Sequence, residues 1–303
     1  MDQICTEIEI AGVKWKNPVT TASGTFGSGM EFAAFTDIAR LGAITSKGVA
    51  LEPWPGNPTP RVAETPSGMM NAIGLQNPGI RTFLSRDLPF MGACGPRVIV
   101  NVCGHSIPEY CEAAEMLSER DEVDMLEINI SCPNVKKGGA SLSQDPAAAR
   151  EITREVKKVS RKPVIIKLSP NVTDIAEIAR ACEDGGADAL SLINTFTGMK
   201  IDIYRRKFVL ANQTGGVSGP AIHPIAVRMV YQTAHAVSLP VIGMGGIACA
   251  GDALEMIMAG ATAVAVGTAS FRDPACTLRV IEGIELFMRE NHVKDIRELI
   301  GCV

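Results

Sequence analysis

The 303-residue sequence has no long apolar run, no basic tract and no C-x-x-C pair. Its longest uncharged stretch, Met229 to Gly251, is interrupted by Gln232, His235, Pro240 and four glycines, so it is not a membrane span. Lys and Arg number 29 against 33 Asp and Glu, a net charge of −4, and no stripe of cations offers the phosphate neutralisation that nucleic-acid binding rests on. The nine cysteines, at 5, 94, 103, 111, 132, 182, 249, 276 and 302, are odd in number and scattered. That pattern argues against a disulfide framework, a zinc ribbon or an iron–sulfur site made by this chain alone. Asp2, Glu7 and Glu9 stand where a secretory leader would carry basic and then apolar residues. The expectation is a reduced, cytoplasmic protein. Glycine and proline, 29 and 18 residues, stay far below a third of the chain, which excludes a collagen-like repeat, and 46% hydrophobic residues suffice for a folded core.

The chain alternates short β-branched runs with longer amphipathic stretches. The pattern predicts strands over Val19–Ala22, Ala43–Ser46, Val98–Val102, Met125–Ile130, Val164–Leu168, Ala189–Ile193, Val241–Gly243 and Ala263–Val266. Several lack polar alternation, as parallel strands covered on both faces do. Helices are predicted over Glu31–Arg40, Pro108–Glu119, Asp145–Val159, Asp174–Asp184, Pro224–Ala236 and Asp252–Met258, with Ser143 and Thr173 as start signals. Eight strand-then-helix units predict an α/β fold, a (β/α)₈ TIM barrel. The surplus residues read as an N-terminal β-hairpin, Thr6–Ile10 with Val13–Lys16, and as long loops after strands two and six, Gly48–Gln76 and Asn194–Pro220. No linker divides residues 1–303, so one domain is expected. The rival doubly wound sheet would need G-x-G-x-x-G after its first strand, and Gly24-Thr-Phe-Gly-Ser-Gly29 has the wrong spacing.

Polar residues gather at the predicted strand ends: Ser23, Lys47, Asn101, Asn129, Asn134, Lys167, Asn194 and Thr195. One buried Asn or Lys is often a satisfied structural group, but a set on one rim of a barrel points to a ligand site. Strands seven and eight end instead in Gly243-Met-Gly-Gly-Ile247 and Gly267-Thr268, the usual place of a barrel phosphate site. Lys47 and Lys167 supply cations opposite them. Cys132 follows strand four between Asn129 and Asn134, with Gly138-Gly139 beyond as a possible loop hinge. Most free cysteines are small buried hydrophobes, a description that suits Cys5, Cys111, Cys182 and Cys302. For Cys132 the residues alone leave two readings open, a reactive thiolate or a turn marked by Pro133.

The stretches Asn129-Ile-Ser-Cys-Pro-Asn134, Thr45-Ser-Lys-Gly48, Gly68-Met-Met-Asn-Ala-Ile-Gly-Leu-Gln-Asn-Pro-Gly79 and Asn194-Thr195 together resemble the dihydroorotate dehydrogenases. The resemblance continues through Gly215-Gly-Val-Ser-Gly-Pro220, Gly243-Met-Gly-Gly246 and Gly267-Thr268 and so spans nearly the whole chain. It implies a flavin barrel oxidising dihydroorotate to orotate in pyrimidine synthesis. The Asn-Ala-Ile-Gly-Leu-Gln-Asn form is similar to the catalytic subunit of the NAD-linked class. The cysteine in S-C-P-N resembles the soluble classes, since the quinone-using class has Ser there. The resemblance casts Cys132 as the base that removes the C5 proton. It assigns FMN to Ser23, Lys47, Gly48, Asn101, Asn129, Lys167, Ile193, Gly219, Gly245, Gly246, Gly267 and Thr268. Substrate falls to Lys47, Asn71, Ala72, Ile73, Gly74, Leu75, Asn129, Asn194 and Thr195, with Asn134 added. It further implies a dimer of this chain joined to an electron-transfer subunit that carries FAD and an iron–sulfur cluster, a heterotetramer passing electrons to NAD⁺. No metal is expected on this chain. Cys103 and His223 stand where the resemblance leads one to expect Ala and Lys, and are expected to touch no motif residue.

The chemistry agrees with that assignment. Orotate is a carboxylate on a ring of amides, which calls for a cation and for Asn side chains that donate and accept. A thiol needs only a modest downward shift to act as a base near neutrality. The alternatives are the fumarate-using homodimeric dihydroorotate dehydrogenases, a dihydropyrimidine reductase sharing the N-x-S-C-P loop, and a flavin-free phosphosugar barrel.

Overall fold

The computed structural model describes residues 4–131 and 143–303, and between them the backbone of two short strands, Lys136–Lys137 and Ala140–Ser141. Eight strands form the barrel, numbered here β1 (Val19–Thr21), β2 (Ala43–Thr45), β3 (Arg97–Val102), β4 (Met125–Asn129), β5 (Val164–Lys167), β6 (Ala189–Leu192), β7 (Val241–Met244) and β8 (Ala263–Val266). They pair in parallel in the order β1-β8-β7-β6-β5-β4-β3-β2. Each predicted strand is present to within one residue. Side chains are buried on both faces of every strand, which explains the runs without alternation.

β1 and β2 share no ladder, and one backbone bond together with threonine side chains closes the barrel there. Gly42 N–H donates to Val19 O (3.0 Å), Thr45 N–H donates to Thr21 Oγ1 (3.0 Å), and the Thr20 and Thr45 hydroxyls lie 3.2 Å apart. Buried polar groups are thereby satisfied where the sheet would otherwise present two edges. The N-terminal hairpin, Ile8–Ile10 with Val13–Trp15, turns at Ala11 (φ 49°) and Gly12 (φ 81°), the positive pair of a two-residue turn matched to strand twist. It buries Trp15, and Lys14 O accepts from Arg97 at the start of β3, which places the hairpin at the amino ends of the strands.

The two expected long loops are not structureless. Val62–Thr65 and Gly68–Asn71 from the first join Phe196–Met199 and Thr214–Ser218 from the second in one antiparallel sheet. This sheet has its own small core of Ala63, Met70, Ala72 and Leu210.

Five of the six predicted helices are present: Ile107–Ser118, Pro146–Val159, Ile175–Asp184, His223–Ala234 and Ala250–Met258. Two start signals are corrected by one residue position or more. Asp145 and Asp174, not Ser143 and Thr173, cap their helices by accepting from Ala147 and Ala176 N–H. Residues Glu31–Arg40 do not form the expected helix: Asp37 adopts an extended conformation (φ −79°, ψ 92°) and caps only a short 3₁₀ turn, Ile38–Arg40. Stacking of Phe26 on Phe32, centroids 4.1 Å apart, holds the preceding turns. Helical turns at Ile80–Ala93 follow β2, and a helix at Cys276–Glu290 follows β8; neither was predicted. The latter buries Val280, Ile281, Ile284 and Met288, an amphipathic spacing present in the sequence.

No described helix is long and apolar enough to cross a membrane.

Candidate active site

At the carboxyl ends of the barrel strands lies a cavity of about 470 Å³, within the usual range of small-molecule sites. All twelve residues expected to hold a flavin line it: Ser23, Lys47, Gly48, Asn101, Asn129, Lys167, Ile193, Gly219, Gly245, Gly246, Gly267 and Thr268. Of the residues expected at the substrate, Asn71, Ile73, Leu75, Asn194 and Thr195 line it as well, together with Lys47 and Asn129. Ala72 and Gly74 do not. Ala72 turns into the small core of the four-stranded sheet, and a Cβ on Gly74 (φ 73°) would meet Asn57 at 2.6 Å, so Gly74 serves the turn. Cys132, Asn134 and the Gly138-Gly139 pair lie outside the described residues.

One wall consists of polar side chains at the ends of β1 to β6. Ladder register puts Asn129, Lys167 and Ser191 level with one another. Lys167 Nζ donates to Ser23 Oγ (2.9 Å) and faces Glu127 Oε2 at 3.4 Å. Asn129 Oδ1 accepts from Ser131 N–H (3.2 Å) and from Asn194 Nδ2 (3.4 Å), while Tyr110 Oη donates to Asn129 O (2.6 Å). Asn171 bridges the segment after β6 by donating to Thr195 O and accepting from Thr197 N–H. Glu127, Ser191, Tyr110 and Asn171 were not predicted. Glu127 and Ser191 sit inside apolar strands, and a charged or hydroxyl residue in such a run is the signal that marks them. Burial holds the Lys47 ammonium below the ordinary lysine pKa; the Cys103 thiol opposes this, and the positive charges of Lys167 and Arg61 reinforce it.

The other wall is backbone. Gly245 (φ 133°), Gly246 (φ 74°) and Gly219 (φ 103°) occupy conformations open mainly to glycine. A Cβ on Gly246 would meet Gly219 O at 2.8 Å, and one on Gly219 would meet Gly68 Cα at 2.6 Å. Gly267 differs: its Cβ would touch nothing nearer than 3.4 Å, so the fold does not demand glycine there. Its missing side chain leaves room on the cavity side. Asn101 Oδ1 is buried and has no hydrogen-bond partner among the described residues. A buried acceptor without a donor, beside a cavity, fits a ligand carrying an N–H or O–H group.

Cys103 and His223 do touch motif residues. The Cys103 thiol acts electrostatically on Lys47, and His223 Nδ1 lies 2.9 Å from Gly245 O beneath the glycine turn. Among the other thiols, burial pushes Cys182 up to about 12 and Cys276 up to about 11, and raises Cys94 and Cys111. Cys5 and Cys302 are exposed, not buried, because both lie in terminal segments at the surface. No group of His, Cys, Asp and Glu suited to a metal occurs among the described residues.

The family model described as dihydroorotate dehydrogenase matches residues 5–288. The chain belongs to the dihydroorotate dehydrogenase family. It is 65% identical over 298 residues to the protein of Lachnoclostridium phytofermentans named dihydroorotate dehydrogenase B (NAD(+)), catalytic subunit, covering 98% of this chain and 99% of that one. A protein of the same name from Alkaliphilus oremlandii is 56% identical, with 97% of each chain covered. The crystal structure of dihydroorotate dehydrogenase from Eimeria tenella in complex with ferulenol superposes with a TM-score of 0.80, covering 99% of this chain and 89% of that one. At 21% identity that likeness speaks for the barrel fold.

Proposed function

We propose that this chain, one domain over residues 1–303, is the catalytic subunit of an NAD⁺-linked dihydroorotate dehydrogenase, oxidising (S)-dihydroorotate to orotate in pyrimidine synthesis. The observation that carries the reading is the convergence of all twelve expected flavin residues on one cavity. The donor set suits FMN. Asn101, Asn129, Lys47, Lys167 and Ser23 would hold its ring system, and the glycine wall of Gly219, Gly245, Gly246 and Gly267 with Thr268 would admit its phosphate. Bound FMN supplies the acceptor for the hydride that leaves C6.

The protein's part is placement and proton transfer. Lys47 meets the orotate carboxylate, regaining by charge pairing what it loses by burial. Asn71, Asn129 and Asn194, with Asn134, donate to and accept from the ring amides; Asn194 and Thr195 are already ordered by the Thr195 N–H bond to Asn194 Oδ1 (2.8 Å). Cys132 takes the C5 proton as the C6 hydride departs, so that the C5–C6 double bond of orotate forms. Its neighbour Ser131 is tied to Asn129 Oδ1, which links the base-bearing segment to the end of β4. The buried Lys167 stabilises negative charge that develops on the reduced ring.

The electrons then leave through a partner subunit carrying FAD and an iron–sulfur cluster, in a cytoplasmic heterotetramer containing two copies of this chain. The relatives' name, catalytic subunit, supports a partner. Purification of the untagged chain from its own cells tests this: the expected result is bound FMN and a companion protein with a second flavin. A colourless chain contradicts the flavin, and a flavin-bearing chain without a companion contradicts the NAD⁺ route. Orotate affinity unchanged in Lys47→Ala would favour a dihydropyrimidine without a carboxylate.

A further inference from the structure

Glu127 is 3% exposed in the middle of β4 and reaches Ser191 and two cavity-lining residues, Asn101 and Lys167. Its Oε1 accepts from Ser191 Oγ (2.7 Å); its Oε2 accepts from Asn101 Nδ2 (2.5 Å) and faces Lys167 Nζ at 3.4 Å. A carboxylate paired with a lysine can only accept. The Asn101 amide therefore has one orientation: Nδ2 toward Glu127, Oδ1 toward Gly48 at the cavity wall. That orientation leaves Oδ1 as the buried acceptor without a partner among the described residues. The same carboxylate places a negative charge behind Lys167, whose other contact is Ser23 Oγ. The low-dielectric interior strengthens both effects.

We propose that Glu127 is a positioning residue that fixes Asn101 as an acceptor toward the flavin and offsets the Lys167 charge, holding the flavin's reduction potential below the value Lys167 alone would set. This rests on the flavin reading of the cavity. Reduction adds negative charge to the ring, so a nearby carboxylate disfavours the reduced form and a nearby ammonium favours it. Removing the carboxylate charge leaves the ammonium unopposed.

Spectroelectrochemical titration of the flavin-loaded full chain tests this. Glu127→Gln is expected to shift the redox equilibrium at least tenfold toward reduced flavin, a rise of about 30 mV for a two-electron couple. Ser191→Ala removes a bond to the same carboxylate but keeps its charge, and is expected to shift the equilibrium less than twofold. A Glu127→Gln potential within a twofold change of wild type overturns the proposal even if flavin occupancy falls, since a purely structural role would lower occupancy alone. An equal shift in Ser191→Ala overturns it too. If Glu127→Gln does not fold, Glu127→Gln/Lys167→Gln, which leaves no unbalanced charge, is compared with Lys167→Gln. A tenfold difference toward reduced flavin in the double variant supports the proposal, and equality overturns it. Wild-type protein without flavin would instead remove the reading beneath it.

Discussion

The two walls of the cavity are built by opposite means. From β1 to β6 the wall is polar side chains, several tied into a network: Lys167 to Ser23 and Glu127, Asn101 to Glu127, Asn129 to Ser131 and Asn194. After β7 and β8 the wall is backbone, with side chains removed at Gly245, Gly246 and Gly267. Bonds among its side chains set their charge and orientation, and Asn101 Oδ1 is left without a partner among the described residues, so the first wall fails by losing charge or orientation. The second wall fails by gaining atoms. A ring with hydrogen-bonding edges suits the first and a phosphate suits the second.

Substitutions separate these modes. Cys132 is proposed to act as the base and not to bind, so Cys132→Ala should keep flavin and orotate while turnover falls by about 10²–10⁴, measured by steady-state kinetics beside an orotate titration. Near-normal turnover would remove the base assignment. In the polar wall, Lys47→Ala should weaken orotate binding by about tenfold to a hundredfold, the loss of one charge-assisted contact, with flavin content retained. In the backbone wall, Gly246→Ala strains a positive-φ turn and meets Gly219 O, so thermal or urea unfolding should show about 1–3 kcal/mol of destabilisation. Gly267→Ala is the sharper comparison. The fold accepts its Cβ, so stability should stay within about 0.5 kcal/mol while flavin affinity, followed by fluorescence of the released ring, falls. Equal stability losses at 246 and 267 would erase the distinction between a glycine kept for the turn and one kept for the ligand.

The smallest effect concerns pH. Lys47 in the free protein has a lowered pKa, and an anion bound beside it raises that value again. Binding therefore takes up a proton between the two values, and orotate affinity should fall as pH rises through the lowered pKa, below 10.5. Calorimetry in buffers of different ionisation enthalpy reads the proton uptake directly, and Lys47→Ala should abolish it.

The barrel was legible because most strands are short, largely apolar runs that end at a polar or glycine residue, and both features are local. The twelve residues expected at a flavin followed from strand ends and motif resemblance, and they share one cavity. Three kinds of feature were not legible. The four-stranded sheet joins segments more than a hundred residues apart, and strands such as Gly68–Asn71 and Thr214–Ser218 carry too much glycine to read as strands. The Glu31–Arg40 segment has helix-like spacing that the extended Asp37 interrupts. Glu127 and Ser191 gain meaning only when neighbouring strands bring Asn101 and Lys167 to them. Ala72 and Gly74 sit inside a motif whose alternate residues face the cavity, so adjacency in sequence overstated their part.

On the proposed reading, this cavity holds a flavin that takes a hydride from dihydroorotate. Anaerobic addition of dihydroorotate to the purified chain, followed in the visible spectrum with product analysis, tests it most directly. The expected result is bleaching of the bound-flavin band with one orotate formed per flavin. A colourless protein, or a flavin band that persists in excess dihydroorotate, would contradict it.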